Sequence, residues 1–448
     1  MEFLMPHFPP AQEESLISWL NRFGQFHCGL SLNAFLHFVG IPLQELHMGR
    51  QEVFSRASAI SGQSVENLKT RSHEYLSDRR FAYRGETFFR EFLLRSSVTF
   101  CPACLLSDYN ESGTGAPKFI GRTEWVFRSV RTCEHHATAL CRTAQVRGSE
   151  LALNISAHAP DQERLEKLLK QAPLCKPSAL QNYIIARFEG HKGPCWLDDQ
   201  QIDLASRATE MLGACVEYGA QVPLTKLTEA EWDSAGQVGF EFTSKGEEGI
   251  REGLELLFKR PHKNAGQRGP QGVFGKLFQW VQFRNNDKPV GPIREILREF
   301  ILDSFPIAAG TDLFGEIIPW RKKHSVASLS AHTGVHAKTV ANALAQSGML
   351  PKDLYVVNIR QTVPAGPAEE LIEKLKRAVP VAKIPEYIGC TRSQASLLIE
   401  NGILHTVIQD TGNRTARYKG VDLVDLHQLI SRMRHFGKPV QVMSQGEV

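Results

Sequence analysis

Cys101-Pro102-Ala103-Cys104 is followed, after 28 intervening residues, by Cys133-Glu134-His135-His136, which gives the spacing C-x2-C-x28-C-x2-H. Each close pair lets one tight turn aim two donors at a single point. Three thiolates and one imidazole hold a tetrahedral Zn2+ at bond lengths of about 2.0–2.3 Å. The spacing therefore predicts Cys101, Cys104, Cys133 and His136 as ligands, with His135 in place of His136 as the alternative set. Four protein donors leave no open coordination position, so the expected ion is structural, about one Zn2+ per chain. Neither the His-x-Glu of a zinc deaminase nor the His-Glu-x-x-His of a zincin occurs in the chain, and no enzymatic activity is expected. Between the two pairs, Trp125, Val126 and Phe127 are expected to form a strand packed on the knuckle. Arg122, Arg128 and Arg131 are expected to face outward or meet DNA.

The remaining cysteines do not extend this site. All nine, at 28, 101, 104, 133, 141, 175, 195, 215 and 390, form an odd and scattered set, which speaks against a secreted disulfide framework and for reduced thiols. Cys141 and Cys175 stand apart, so a second metal knuckle is not expected. With no run near the roughly 20 apolar residues a membrane span needs and no basic-then-apolar leader at the start, the expectation is a cytoplasmic protein without membrane contact. A chain of 448 residues with 42% hydrophobic and 22% charged content has enough apolar surface for several packed domains.

Charge divides the chain unevenly. From Arg321 to the end there are 17 Lys and Arg against 10 Asp and Glu, a net of +7, while residues 1–320 hold 35 against 38, a net of −3. A basic tail beside a mildly acidic body suits phosphate contact by the tail and protein contact by the body. Leu16, Ile17, Trp19, Leu20 and Phe23 mark one apolar helix face that reads as core. A helix through Phe54, Ala57 and Ile60 ends at Gly62 and is followed by Val65 and Leu68, a helix-turn-helix rhythm equally compatible with a plain hairpin. Asn110 to Pro117 is a surface loop. The stretch from about 160 to 320 has helical period, and Gly266 to Gly272 lacks the Lys-Ser/Thr pair of a Walker loop, so it reads as a loop before a helix.

The basic tail carries one grammar twice. In Val326 to Val340, Ala331 is the small residue at a close helix approach, Gly334 supplies a turn and Val335 plugs the core. Val340 and Leu344 anchor a second helix that displays Lys338, Thr339 and Asn342. About 55 residues later, Val381 to Ala395 repeats the pattern with Gly389 in the place of Gly334, and Ser347-Gly348-Met349-Leu350 matches Asn401-Gly402-Ile403-Leu404. Here Thr391 is the expected N-cap, with Arg392, Ser393, Gln394 and Ser396 on the exposed face. Thr406 to Gln409 and Ala416 to Lys419 are expected to form a hairpin wing whose Arg414, Arg417 and Lys419 reach phosphates.

Together the parts resemble the TniQ family, which includes TnsD-type target selectors of transposons. The resemblance rests on Glu14-Ser15-Leu16-Ile17-Ser18-Trp19-Leu20 with Arg22, on Phe100-Cys101-Pro102-Ala103-Cys104, and on Trp125 before Cys133-Glu134-His135-His136 with Ala139-Leu140. It implies zinc ligation by Cys101, Cys104, Cys133 and His136. It also implies a bacterial, non-enzymatic adaptor that binds double-stranded DNA and recruits an AAA+ ATPase regulator, engaging a transposase or integrase indirectly. A homodimer and a guide-RNA effector complex are left open as partners, and a zinc-containing helix-turn-helix transcription regulator is the alternative function. The expected architecture is mainly α and multi-domain: a helical N-terminal domain over 1–98, a zinc-binding lobe over 99–145 and a helical middle domain over 146–320. A helix-turn-helix unit over 321–362, a winged one over 363–440 and a flexible tail over 441–448 complete it.

Overall fold

In the computed structural model the chain is mainly helical and divides into two units, Met1–Leu297 and Arg298–Val448. The structure describes residues 3–95, 97–111, 119–143, 154–261, 269–283, 289–351, 361–408 and 420–436. Among these, no helix is long and apolar enough to cross a membrane.

The first unit opens with five helices, α1 (Leu16–Cys28), α2 (Leu32–Phe38), α3 (Leu43–Met48), α4 (Gln51–Ser61) and α5 (Val65–Lys69). Leu16, Trp19, Leu20 and Phe23 of α1 are fully buried against Phe35, Phe54 and Leu68, so the apolar face read from the sequence is core. The helix begins where it does because the Ser15 side chain accepts from the Ser18 N–H, filling one of the unpaired donors of the first turn. Just before it, Glu14 is wholly buried, and its carboxylate accepts from Arg22 at 2.6 Å, Ser18 Oγ at 3.0 Å and the Ala11 N–H at 2.9 Å. These bonds tie the N-terminal segment to α1. Helix α4 ends at Gly62 and α5 follows as expected, but α5 has only five residues and presents no recognition surface.

The helical reading of residues 1–98 fails after Lys69. Strands β1 (Glu74–Tyr75), β2 (Arg80–Tyr83) and β3 (Glu86–Phe89) form an antiparallel meander, with Arg80 opposite Phe89 and Tyr83 opposite Glu86. Phe81, Tyr83 and Phe88 alternate inward along it, and Arg84-Gly85, both at positive φ, make the two-residue turn that matches strand twist.

Beyond the meander come β4 (Thr99–Phe100), α6 (Pro102–Glu111), β5 (Thr132–Cys133), β6 (Thr138–Ala139) and β7 (Cys141–Arg142). Then follow α7 (Ile155–His158), α8 (Gln162–Gln171), α9 (Ala179–Phe188), α10 (Cys195–Asp198), α11 (Ile202–Tyr218), α12 (Glu229–Thr243), α13 (Gly246–Lys259), α14 (Pro270–Gln282) and α15 (Ile293–Ser304). One apolar core takes Phe81, Tyr83 and Phe88 from the meander, Phe100 and Phe127 from around the metal-ligand pairs, and Leu180, Ile184 and Phe188 from α9. Phe127 is its hub, with ring centroids of Tyr83, Phe88, Phe92 and Phe188 at 4.5–5.5 Å. The expected strand at Trp125–Phe127 is instead a 3-10 turn over Thr123–Val126, after which Phe127 is extended and makes a single antiparallel bridge with Leu93 as it enters this cluster. Helices α11 and α12 pack at backbone distance. A Cβ on Gly213 would lie 1.8 Å from the Ala235 carbonyl oxygen and one on Gly239 2.0 Å from that of Thr209, so both positions require glycine.

The second unit holds the hairpin β8 (Asp312–Leu313) and β9 (Glu316–Ile317), then β10 (Lys323–His324), α16 (Val326–Thr333), α17 (Ala337–Gln346), β11 (Val363–Pro364) and α18 (Ala365–Lys376). It continues with β12 (Ala378–Pro380), α19 (Ile384–Ile388), α20 (Arg392–Glu400), β13 (Gly420–Asp422) and α21 (Leu423–Phe436). β10 pairs with β11 and β12 with β13, both antiparallel. Among the described residues, the stretch from 323 to 376 and that from 378 to 436 thus share one order of strands and α-helices: strand, helix, helix, strand, helix.

Replacing Arg22 with Ala leaves the buried Glu14 carboxylate without its cation, which costs roughly 3–5 kcal/mol. Urea unfolding of Arg22→Ala is expected to show this loss, and a change under about 0.5 kcal/mol would mean that the pair is not structural.

Candidate functional site

Cys101 lies directly after β4, and Cys104 sits in the first turn of α6. Cys133 ends β5, and His136 stands in the turn that returns to β6, where Ala137 takes a positive φ and Thr138 Oγ1 donates to the His136 carbonyl at 2.8 Å. Two turns thereby aim four donors at one point. The Cys104 and Cys133 sulfurs are 3.7 Å apart, and His136 Nδ1 lies 3.7, 3.3 and 3.6 Å from the sulfurs of Cys101, Cys104 and Cys133; all four donor atoms fall within 4.8 Å of one another. A tetrahedral ion with bonds of about 2.0–2.3 Å has donor-donor edges of about 3.3–3.8 Å, so these residues fit a metal ion. His135 is not among the donors, since its Nε2 faces Glu13 Oε2 at 3.2 Å. Hydrogen bonds from Cys101 and Cys104 pull the Cys133 thiol well below its usual range, while sharing with Cys101 and Cys133 pushes Cys104 far above it. Three thiols crowded this way favour a bound cation, which takes up the negative charge their deprotonation releases.

The knuckle is built into the helical body. Gln181 of α9 accepts from the Arg131 and Thr132 N–H groups at 2.8 and 3.0 Å and donates to the Thr132 carbonyl at 2.7 Å, so one buried side chain takes the place of a neighbouring strand beside β5. The segment before α9 joins in, the Ala139 N–H donating to Pro173 O at 3.2 Å and the Cys175 N–H to Ala137 O at 2.9 Å. Arg131, expected to face outward or meet DNA, is buried, and its charge is answered by Glu210 at 2.6 Å and Glu229 at 3.1 Å. Burial pushes Glu210 up, but Arg131 and Arg207 outweigh it and hold the carboxyl below its ordinary value. Arg122 pairs with Glu13 at 3.5 Å and lies over the Trp125 ring, and Arg128 is exposed, donating to the Glu91 carbonyl. Neither Gln181 nor Glu210 carries a local sequence signal that connects it to the knuckle.

In the second unit, α16 is capped by a reciprocal Ser325 and Ser328 box and stops at Gly334, whose φ of 72° is the left-handed conformation the turn requires. Val340 and Leu344 of α17 are buried and Val335 packs beside them. Lys338 is exposed, while Thr339 and Asn342 are half-buried. Ala331 is exposed and takes no part in a close approach; the buried residues of α16 are Val326, Leu329 and Thr333. Val363, Ala368, Leu371 and Ile372 join this core, so β11 and α18 belong with the first repeat, and Ile408 enters it from the second.

The second repeat matches turn for turn. Gly389 has a φ of 66°, and Gly402, like Gly348, is left-handed. Met349 and Leu350 both donate their N–H to Leu344 O, as Ile403 and Leu404 do to Leu398 O. Arg377 grips Asp422 through two bonds of 2.7 and 2.9 Å, clamping β13 beside β12. Arg392, Ser393, Gln394 and Ser396 are all exposed on α20. Gln394 is also a cap residue, because its Oε1 accepts from the Thr391 N–H at 2.8 Å. Of the expected wing, Val407 donates to Gly420 O and Thr406 bridges to Val421, whereas Arg414, Arg417, Lys419 and the tail over 441–448 lie outside the described residues, as does most of the Asn110–Pro117 loop.

Residues 5–140 match the family model described as TniQ. No curated protein matches the chain.

Purified protein is expected to carry about one metal ion per chain by elemental analysis, and Cys104→Ser to lose it together with on the order of 5 kcal/mol of stability or more. Folded, soluble protein free of metal would contradict the assignment of these four donors.

Proposed function

We propose, from the match of residues 5–140 to the TniQ family model, that the chain is a TniQ-type, non-enzymatic adaptor for transposon target selection. Its second unit binds duplex DNA, and its first unit recruits an AAA+ ATPase that in turn engages the transposase or integrase. The ion held by Cys101, Cys104, Cys133 and His136 is Zn2+, which suits three thiolates and an imidazole, and its role is structural because four side chains fill a tetrahedron.

The observation that carries the DNA assignment is the repeated strand, helix, turn, helix, strand, helix unit in the basic part of the chain. In each copy the second helix follows a left-handed glycine turn and exposes polar or cationic side chains: Lys338 on α17, and Arg392, Ser393 and Ser396 on α20. A helix of this kind fits the major groove, where Arg pairs with guanine edges and Ser with either base. Arg414, Arg417 and Lys419 are proposed to reach phosphates from the wing, and Thr339 and Asn342 to border the groove beside Lys338. The acidic balance of residues 1–320 suits a protein partner better than a phosphate backbone. Because Trp19 and Phe23 are core, the partner contact belongs to other residues of that unit.

Arg392→Ala tests this without disturbing the Thr391 and Gln394 cap. It is expected to cost roughly 1–3 kcal/mol in affinity for the preferred duplex, while capture of the cognate AAA+ ATPase is retained. Loss of capture with unchanged DNA affinity would make the second repeat a protein-docking module. A transcription regulator would show the DNA effect with no ATPase partner at all.

A further inference from the structure

Met1–Leu297 is neutral overall, with 34 Lys and Arg against 34 Asp and Glu, and this balance conceals a local concentration of arginine. Between the end of α3 and the meander lies a cleft of about 470 Å3, open to solvent and lined by Arg50, Arg79, Arg90 and Arg95 with Glu45 as the one acidic side chain. Tyr75 lines the same cleft beneath Arg50, whose guanidinium lies 4.6 Å from the ring centroid. The arginines converge because of the fold. The Arg90 N–H donates to the Arg79 carbonyl at 2.8 Å, which continues the β2–β3 register by one step, and Arg95 lies over the Phe81 ring of β2 at 5.7 Å.

The charges are unevenly answered. Arg79 pairs with Glu91 and Arg50 with Glu45, whereas among the described residues Arg90 and Arg95 meet no carboxylate. Burial, and then repulsion from Arg90, lowers the pKa of half-buried Arg95. Holding two like charges together in a partly desolvated cleft is unfavourable unless an anion offsets them. A second large cleft of this unit is lined by arginines whose charges are mostly answered. There Arg131, Arg142 and Arg207 are matched by Glu210 and Glu229 at 2.5–3.2 Å, and Arg128 alone of the four lining arginines has no carboxylate partner among the described residues.

We infer that the cleft lined by Arg50, Arg79, Arg90 and Arg95 is a second nucleic-acid contact, binding backbone phosphates of a strand that runs across the first unit. Guanidinium forks match phosphate oxygens two at a time. The arginines come from the α3–α4 junction, the β1–β2 turn and the segment after β3, and the cleft is open, which suits a string of phosphates better than one enclosed anion. The contact reads no bases and stands independently of the C-terminal repeats. It adds affinity and salt dependence in full-length protein and leaves sequence preference to α17 and α20.

The test is a salt series of binding titrations with full-length protein on a labelled duplex and on the matching single strand. Arg90 is exposed and without a side-chain partner among the described residues, so Arg90→Gln and Arg90→Glu are expected to fold normally, and Arg90→Gln/Arg95→Gln removes both unanswered charges. Each lost phosphate contact lowers the slope of log affinity against log salt by about 0.9 on duplex and about 0.7 on single strands. The double variant is expected to lose about twice that on at least one substrate, with weaker binding and the same preferred sequence; Arg90→Glu alone is expected to weaken binding more than Arg90→Gln. Unchanged slopes on both substrates in folded Arg90→Glu would overturn the inference, even if Arg392→Ala still weakened duplex binding as the proposed function requires. Two further outcomes would also overturn it: binding of inorganic phosphate that Arg90→Glu abolishes while nucleic-acid affinity stays constant, and binding of polyglutamate that Arg90→Glu abolishes with the same constancy.

Discussion

The convergence of Cys101, Cys104, Cys133 and His136 on one point is the constraint on which the first unit depends. Two turns that share no sequence neighbourhood must be brought within 4.8 Å donor to donor, and the surrounding strands are only two residues long. Such strands are too short to hold register by themselves. Their register is set from both ends. At one end lie the four donors, and at the other Gln181, which supplies β5 with the hydrogen bonds a longer sheet would have provided. The same few residues then reach outward: Phe127 into the aromatic cluster, Arg131 to the buried carboxylate of Glu210 and the partly exposed one of Glu229. An ion at this site would secure the junction between the meander, the knuckle and helices α9 to α12.

The second unit solves a different problem by repetition. Its helices are short, and each copy relies on local chemistry at its ends: a capping box on α16 and on α20, and a left-handed glycine after α16 and after α19. Short helices are marginal alone and take their stability from packing, which α18 and the strand pairs supply. The surface left over on α17 and α20 carries few structural duties, which frees it for recognition. Gln394 is the exception, serving the cap and facing solvent at once.

What could be read from the sequence was what local chemistry dictates. The ligand spacing, the apolar stripe from Leu16 to Phe23, and the paired glycines Gly334 and Gly389 each fix geometry within a few residues, and each is found where the pattern placed it. The meander was also locally written, in the alternation of Phe81 and Tyr83 and in Arg84-Gly85, but a search for helical period passes over period two. Trp125 to Phe127 has strand composition, but only Phe127 is extended, and its bridge partner Leu93 lies 34 residues away, which only the tertiary core reveals. The partners of the knuckle were illegible for the same reason. Gln181 lies 49 residues from Thr132 and Glu210 lies 79 from Arg131, and nothing near either position distinguishes it from an ordinary helical residue. The arginine cleft was hidden by averaging, since its cations are diluted in a unit whose net charge is zero.

Whether the knuckle is integral to the first unit, rather than an appended module, is most directly tested by hydrogen exchange on full-length protein before and after metal removal. Loss of protection is predicted to spread from residues 99–111 and 132–142 into α9, α11 and the β2–β3 hairpin, while α16 to α21 keep theirs. Loss confined to residues 99–111 and 132–142, with α9 and α11 as protected as before, would contradict this account.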